Sequence, residues 1–205
     1  MNDLSQAYRQ AGLIRGQYPY SLIVDDVHKL SNSASTEWQW IAQIPGDLSR
    51  VHTHEFSIAN LDPARDIVLK EPASTGTRKL LVRLLNAEGS QPGGLAEFNE
   101  FEGNLSGGLT TWRLIIRRIA ARPRFRIMLY PFEDGQPIPR YSISGNGSIV
   151  LEWSNNLKDT INFHPTSQTV GGVDVEITGI EITRSGNTKV IDTREQNTMP
   201  MDIRW

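Results

Sequence analysis

Apolar residues fall at every second position through much of this chain. Trp38, Trp40, Ala42 and Ile44 alternate with Glu37, Gln39 and Gln43. Successive side chains of a strand point to opposite faces, so these four apolar residues share one side of a sheet. Trp112, Leu114 and Ile116 stand against Arg113 and Arg117 in the same way. Phe125, Ile127 and Leu129 oppose Arg124 and Arg126, and Ile149, Leu151 and Trp153 alternate with Val150 and Glu152. The runs from Leu22 to Val24 and from Leu80 to Leu85 are apolar at nearly every position. They predict strands covered on both faces. Val173, Val175 and Ile177 hold one phase and Ile180 and Ile182 the other, so Gly179 between them predicts a β-bulge. Only the first residues, around Leu4 to Arg9, read as a short helix.

Clusters of Gly, Pro, Asn and Ser separate these segments, as in all-β domains. The stretch from Asn86 to Thr111 contains Gly89, Gly93, Gly94, Gly103, Gly107 and Gly108. It reads as a long loop with room for one strand, an uncommon length of connection inside a compact domain. No internal repeat is apparent. The pattern predicts an all-β fold with little helix, an antiparallel β-sandwich of about a dozen strands forming a single domain over residues 1–205.

A chain of 205 residues buries a sizeable core without staples. With 21 basic and 23 acidic side chains its net charge is −2, which argues against a polyanion-binding groove, since a nucleic-acid or heparin footprint shows as a basic excess, and no nucleic-acid partner is expected. Even so, Arg113, Arg117, Arg118, Arg122, Arg124 and Arg126 crowd one short region. Cysteine is absent, so neither a disulfide nor a thiolate metal site can form. The N-terminus shows no basic region followed by an apolar core, and no signal peptide is expected in it. No run of about 18 apolar residues occurs, so no membrane-spanning helix and no membrane partner are expected.

Four features carry possible chemistry. His52 and His54 share a strand face, but no third ligand accompanies them and a zinc site needs three or more. Exposed strand histidines are the preferred reading, and no metal or cofactor is expected. Asp25 and Asp26 close an apolar strand, where one carboxylate would accept turn N–H groups and the other face water. Trp38, Trp40, Trp112 and Trp153 could stack on sugar rings, yet their alternation with Ala, Ile and Leu favours core packing. Arg113, Arg117, Arg124 and Arg126 lie in the polar phase of two successive segments. If those segments form a hairpin, the four guanidinium groups make one patch suited to carboxylate or sulfate. These four are the candidate substrate-binding residues, weighed against an ordinary charged outer face.

The segment from Ala11 to Gly16 leads into Tyr18-Pro19-Tyr20 and then Val24-Asp25-Asp26-Val27-His28-Lys29. Glu37-Trp38, the run from Lys79 to Leu85, the run from Pro123 to Pro131, Gly135-Gln136-Pro137-Ile138-Pro139 and the run from Asp159 to Phe163 follow in order. Over roughly residues 11–165 this succession resembles the C-terminal β-sandwich of heparinase II/III-like polysaccharide lyases. Such lyases remove the proton α to a uronate carboxylate, which needs a base and a group that stabilises the enolate-like intermediate. The helical toroid preceding the sandwich in that family has no counterpart in this sequence. Ala34 stands where family members often carry a histidine, four residues before Trp38. The resemblance therefore implies a non-catalytic module that packs on a helical lyase domain and helps bind acidic polysaccharide, in a periplasmic or secreted setting. The alternatives are an active uronate lyase working by β-elimination and a stand-alone carbohydrate-binding protein.

Overall fold

The computed structural model describes residues 4–29, 36–45, 49–51, 60–62, 65–71, 76–86, 96–101, 111–120, 123–153, 156–170, 173–185 and 188–192. Among them there is no helix and there are fourteen strands. In chain order these are β1 (Leu4–Ile14), β2 (Tyr20–Lys29), β3 (Glu37–Pro45), β4 (Ser49–Val51), β5 (Asp66–Lys70), β6 (Lys79–Leu84) and β7 (Ala96–Phe101). They continue as β8 (Thr111–Ile119), β9 (Arg124–Phe132), β10 (Arg140–Ile143), β11 (Ile149–Glu152), β12 (Lys158–Val170), β13 (Val173–Arg184) and β14 (Thr188–Asp192). Every pairing is antiparallel, in sheets ordered β1-β2-β9-β6-β5-β4, β3-β8-β7 and β10-β11-β12-β13-β14. The all-β antiparallel class expected from the alternation is the class observed.

Residues 1–205, expected as one domain, divide into two compact units, Met1–Ile138 and Pro139–Trp205. In the first unit the six-stranded sheet packs on the three-stranded one. Ile67, Leu69, Val82, Leu84, Phe125 and Ile127 from the former meet Trp40, Ile44, Leu114 and Ile116 from the latter. Ile23, Trp38, Ala42, Leu80 and Leu129 close the margins of this core. Removing each fully buried Ile, Leu, Val or Phe of this core from water stabilises the fold by about 1.5–3 kcal/mol. At the rim, Trp38 donates from Nε1 to the Ala120 carbonyl at 2.9 Å, and Arg118 Nη1 donates to the Arg124 carbonyl at 2.8 Å.

The six-stranded sheet is buried on its other face too. Leu22, Met128, Arg83 and Asp66 form one row across four strands, and Tyr130, Leu81 and Val68 form the next. All seven are buried. Two segments of the same unit lie over this face. Arg83 Nη2 donates to the Asn60 carbonyl, Asn60 Nδ2 to that of Ile138, and the Tyr130 hydroxyl to that of Pro137. This double covering is what the apolar runs around Leu22–Val24 and Leu80–Leu85 predict.

In the second unit Ile149, Ile161 and Ile182 pair in one row, with Leu151, Asp159 and Arg184 in the next. Trp153, just beyond β11, and Ile180 are also buried. The β10–β11 turn closes when Gly147, at positive φ, donates to the Ser144 carbonyl.

Three expectations are corrected. Leu4 to Arg9 belong to β1, not a helix, because ten residues of Leu4–Ile14 pair with β2, with one register shift between Leu4 and Gln6. Gly179 is no bulge: β12 and β13 pair without interruption from Val170↔Val173 to Asp159↔Arg184, and Gly179 simply opposes His164. The irregularity of β13 falls between Ile182 and Thr183, against β14. Finally, β8 and β9 are not a hairpin. Their apolar sides face each other across the sandwich, so the strands sit in different sheets.

Candidate functional site

The Asp25-Asp26 pair lies inside β2 rather than at a strand exit. Strand alternation therefore sends the two carboxylates to opposite faces. Asp25 stands directly across from Arg9 and takes both ends of its guanidinium, from Nε at 2.6 Å and Nη2 at 2.7 Å. Asp26 takes Arg126 Nη2 at 2.9 Å, and Arg126 Nη1 reaches the Asp25 and Phe125 carbonyls. The side chains of Arg126 and Asp26 are each only 5% exposed. Burial pulls the Arg126 guanidinium below the ordinary arginine value, and the Asp26 charge opposes that pull. Both aspartates lie within β2, not at the turn that the sequence suggested.

A second interior pair sits on the same face of the sheet. Arg83 Nε and Nη2 meet the two Asp66 oxygens at 2.7 and 2.6 Å, with side-chain exposures of 0% and 2%. Asp66 Oδ2 also accepts the Asp62 backbone N–H at 2.8 Å. In the second unit Arg184 grips the buried Asp159 with both ends at 2.8 Å. Sequence reasoning passed over both pairs. The signal was present: Arg83 interrupts an apolar run and Asp66 opens one, and a charge in a strand covered on both faces requires a partner.

The four candidate arginines part company. Arg126 is interior, fixed on Asp26. Arg124 lies two residues earlier in β9, half-buried, and its carbonyl is held by Arg118 and by the Asn86 amide. Arg113 and Arg117 lie on the outer face of β8. Because the apolar sides of β8 and β9 meet in one core, their polar sides point away from each other. The expected four-guanidinium patch does not form.

The outer face of the three-stranded sheet is a polar strip with apolar points. Along β3, Glu37, Gln39, Ile41 and Gln43 are exposed, opposite Ile119, Arg117, Ile115 and Arg113 of β8. Four residue steps of extended chain separate Arg113 from Arg117, roughly 13 Å. Arg117 Nη1 meets Glu37 Oε1 at 2.7 Å, and Gln39 Nε2 donates to the same oxygen at 3.0 Å. The Gln39 amide, and then the Arg117 charge and hydrogen bond, hold the Glu37 carboxyl below the usual carboxylate range. Chemically this face offers cations and amides to a carboxylate-bearing chain.

The remaining candidates resolve as follows. Trp40 and Trp153 are buried and present no stacking face, and Trp38 packs half-buried against the core. The side chain of Trp112, and His52, His54 and Ala34, lie outside the described residues. His164 Nε2 pairs with Glu181 Oε2 at 3.2 Å across β12 and β13. Among the described residues no group of three or more His, Asp or Glu side chains is placed to hold a metal ion. No known family model, curated protein or solved structure matches the chain.

Proposed function

We propose that this chain is a non-catalytic β-sandwich module of the heparinase II/III-like type, serving breakdown of acidic polysaccharide. Its role is to bind the polymer along the outer face of the three-stranded sheet and to pack on a helical lyase domain. One observation carries the reading. Arg83, Arg126 and Arg184 hold buried carboxylates inside the fold, whereas Arg113 and Arg117 lie half-buried on the outer face of β8 opposite exposed Gln43 and Gln39, with Arg117 on the exposed Glu37. The Asp25-Asp26 pair, which anchors the resemblance, serves the frame and not acid–base work. Glu37 does not bar the strip, because an exposed ion pair contributes at most about 1 kcal/mol and exchanges readily for another carboxylate.

The test is retention of the purified chain on immobilised acidic polysaccharide in a salt gradient. The parent is expected to bind, and Arg113→Gln/Arg117→Gln to elute at distinctly lower salt. No retention of the parent, or no change in the variant, overturns the binding reading. Parallel absorbance assays for unsaturated uronate check the non-catalytic part, since robust product from this chain alone means an active lyase.

A further inference from the structure

The six-stranded sheet ends in an unusual edge. Strand β1 is eleven residues long and pairs only with β2, so no described strand covers its other side. An uncovered edge presents a row of backbone donors and acceptors, and proteins commonly guard it with Lys, Pro, charges or brevity. The other edges follow that rule: β4, β10 and β14 have three, four and five residues, β3 ends in Pro45, and β7 carries Glu97 and Glu100. Strand β1 has neither Lys nor Pro, and its one charge, Arg9, is already neutralised by Asp25. Leu13 is 49% exposed beside exposed Ala7 and Ala11 on the same face.

We infer that this edge pairs with the β1 edge of a second copy of the chain, antiparallel about a two-fold axis at Gln10, making one continuous sheet. The register follows from the sequence of β1. Antiparallel self-pairing keeps like faces together only when it centres on a residue. Centring on Arg9 sets two arginines directly opposite, which is destabilising. Centring on Gln10 sets Leu13 against Ala7 of the second copy and Arg9 against Ala11, while on the other face Tyr8 covers Gly12. Leu13, Arg9 and Tyr8 each meet a small residue, Gln6 meets Ile14, Gln10 meets its own copy, and the pairing is its own complement. An aromatic across from a strand glycine shields the backbone that the glycine exposes. Charge favours it as well, because no like pair is opposed and each Arg9 keeps its own Asp25.

Nine paired residues from Gln6 to Ile14 give a strip about 30 Å long. Interfaces below about 1,200 Å² hold transient complexes, so the dimer is expected at micromolar to tens of micromolar protein. Sedimentation velocity from about 5 to about 200 μM covers that range. The parent is expected to shift from monomer to dimer across the series. Ala11→Lys, which faces Arg9 of the second copy twice, should weaken association about tenfold or more, while Ala11→Asp should preserve or tighten it. Circular dichroism confirms that both variants fold. Because the chain has no cysteine, a second readout is clean. On oxidation Gln10→Cys should give a disulfide-linked dimer, since directly opposed Cα atoms lie within bonding range. Leu13→Cys should not, because its two copies stand roughly 20 Å apart in this register. A parent that stays monomeric throughout, equal effects of Ala11→Lys and Ala11→Asp, or cross-linking at Leu13→Cys and not at Gln10→Cys would each overturn the proposal.

Discussion

Strands β8 and β9 carry their arginines in the same way: Arg113 and Arg117 alternate with Leu114 and Ile116, and Arg124 and Arg126 with Phe125 and Ile127. Their fates are opposite. On the three-stranded sheet the face away from the core carries exposed Glu37, Gln39, Ile41, Gln43 and Ile119, and Arg113 and Arg117 lie half-buried there on either side of a buried Ile115. The central strands of the six-stranded sheet are buried on both faces, so Arg126 is drawn inside and must be paired. Alternation thus reports which side of a strand a residue takes. Whether that side meets water depends on the number of layers, which no single strand records.

The largest expected effect breaks a pair on the doubly buried sheet. Asp66→Ala leaves the Arg83 charge buried and alone, and should cost about 3–5 kcal/mol in urea unfolding. Replacing both partners, Asp66→Leu with Arg83→Met, should recover most of that loss, because no unpaired charge remains. A single variant as stable as the parent would show that this pair does not hold the sheet.

Next in size is the core shared by the two sheets. Ile127→Ala opens space between β9 and the Leu114 and Ile116 face of β8 and should cost about 2–5 kcal/mol. Ile119→Ala, at a side chain 63% exposed on the outer face of the same β8, should stay within about 0.5 kcal/mol. Similar losses at both positions would mean that the three-stranded sheet is covered on its outer face as well.

The smallest effect tests the surface charges. Arg78 holds Glu71 through side-chain and backbone hydrogen bonds, lowering its carboxyl from the usual 4.5. A carboxylate whose folded value is lowered stabilises the fold above its unfolded value, and that stabilisation fades as pH falls through the folded value. The small stability gap between parent and Glu71→Gln should therefore be present at neutral pH and close on acidification below pH 4.5. A gap that persists in strong acid would mean that the charge is not its source.

Much of the fold was legible because the strands use strict alternation. Trp40, Ile44, Leu114, Ile116, Phe125 and Ile127 were all placed on their correct faces by period alone. Strand β1 was missed because its buried phase is Gln6, Tyr8, Gln10, Gly12 and Ile14, mostly polar or without a side chain, so apolar alternation was invisible. Strand β7 lies in the glycine-rich stretch where the sequence allowed for one strand. The candidate site was half legible. The polar phase of the arginines was correct, but their common patch assumed that neighbours in sequence are neighbours in a sheet. The short link after β8 instead carries the chain across the sandwich, since both apolar sides are best buried against each other.

The central claim is that arginines in one sequence phase divide into a structural set and a surface set. Equilibrium urea unfolding of Arg126→Gln beside Arg117→Gln tests it most directly. Arg126→Gln should lose about 3 kcal/mol or more by leaving Asp26 buried without its cation. Arg117→Gln should lose under about 1 kcal/mol, as for an exposed pair. Equal losses in the two variants would contradict the division.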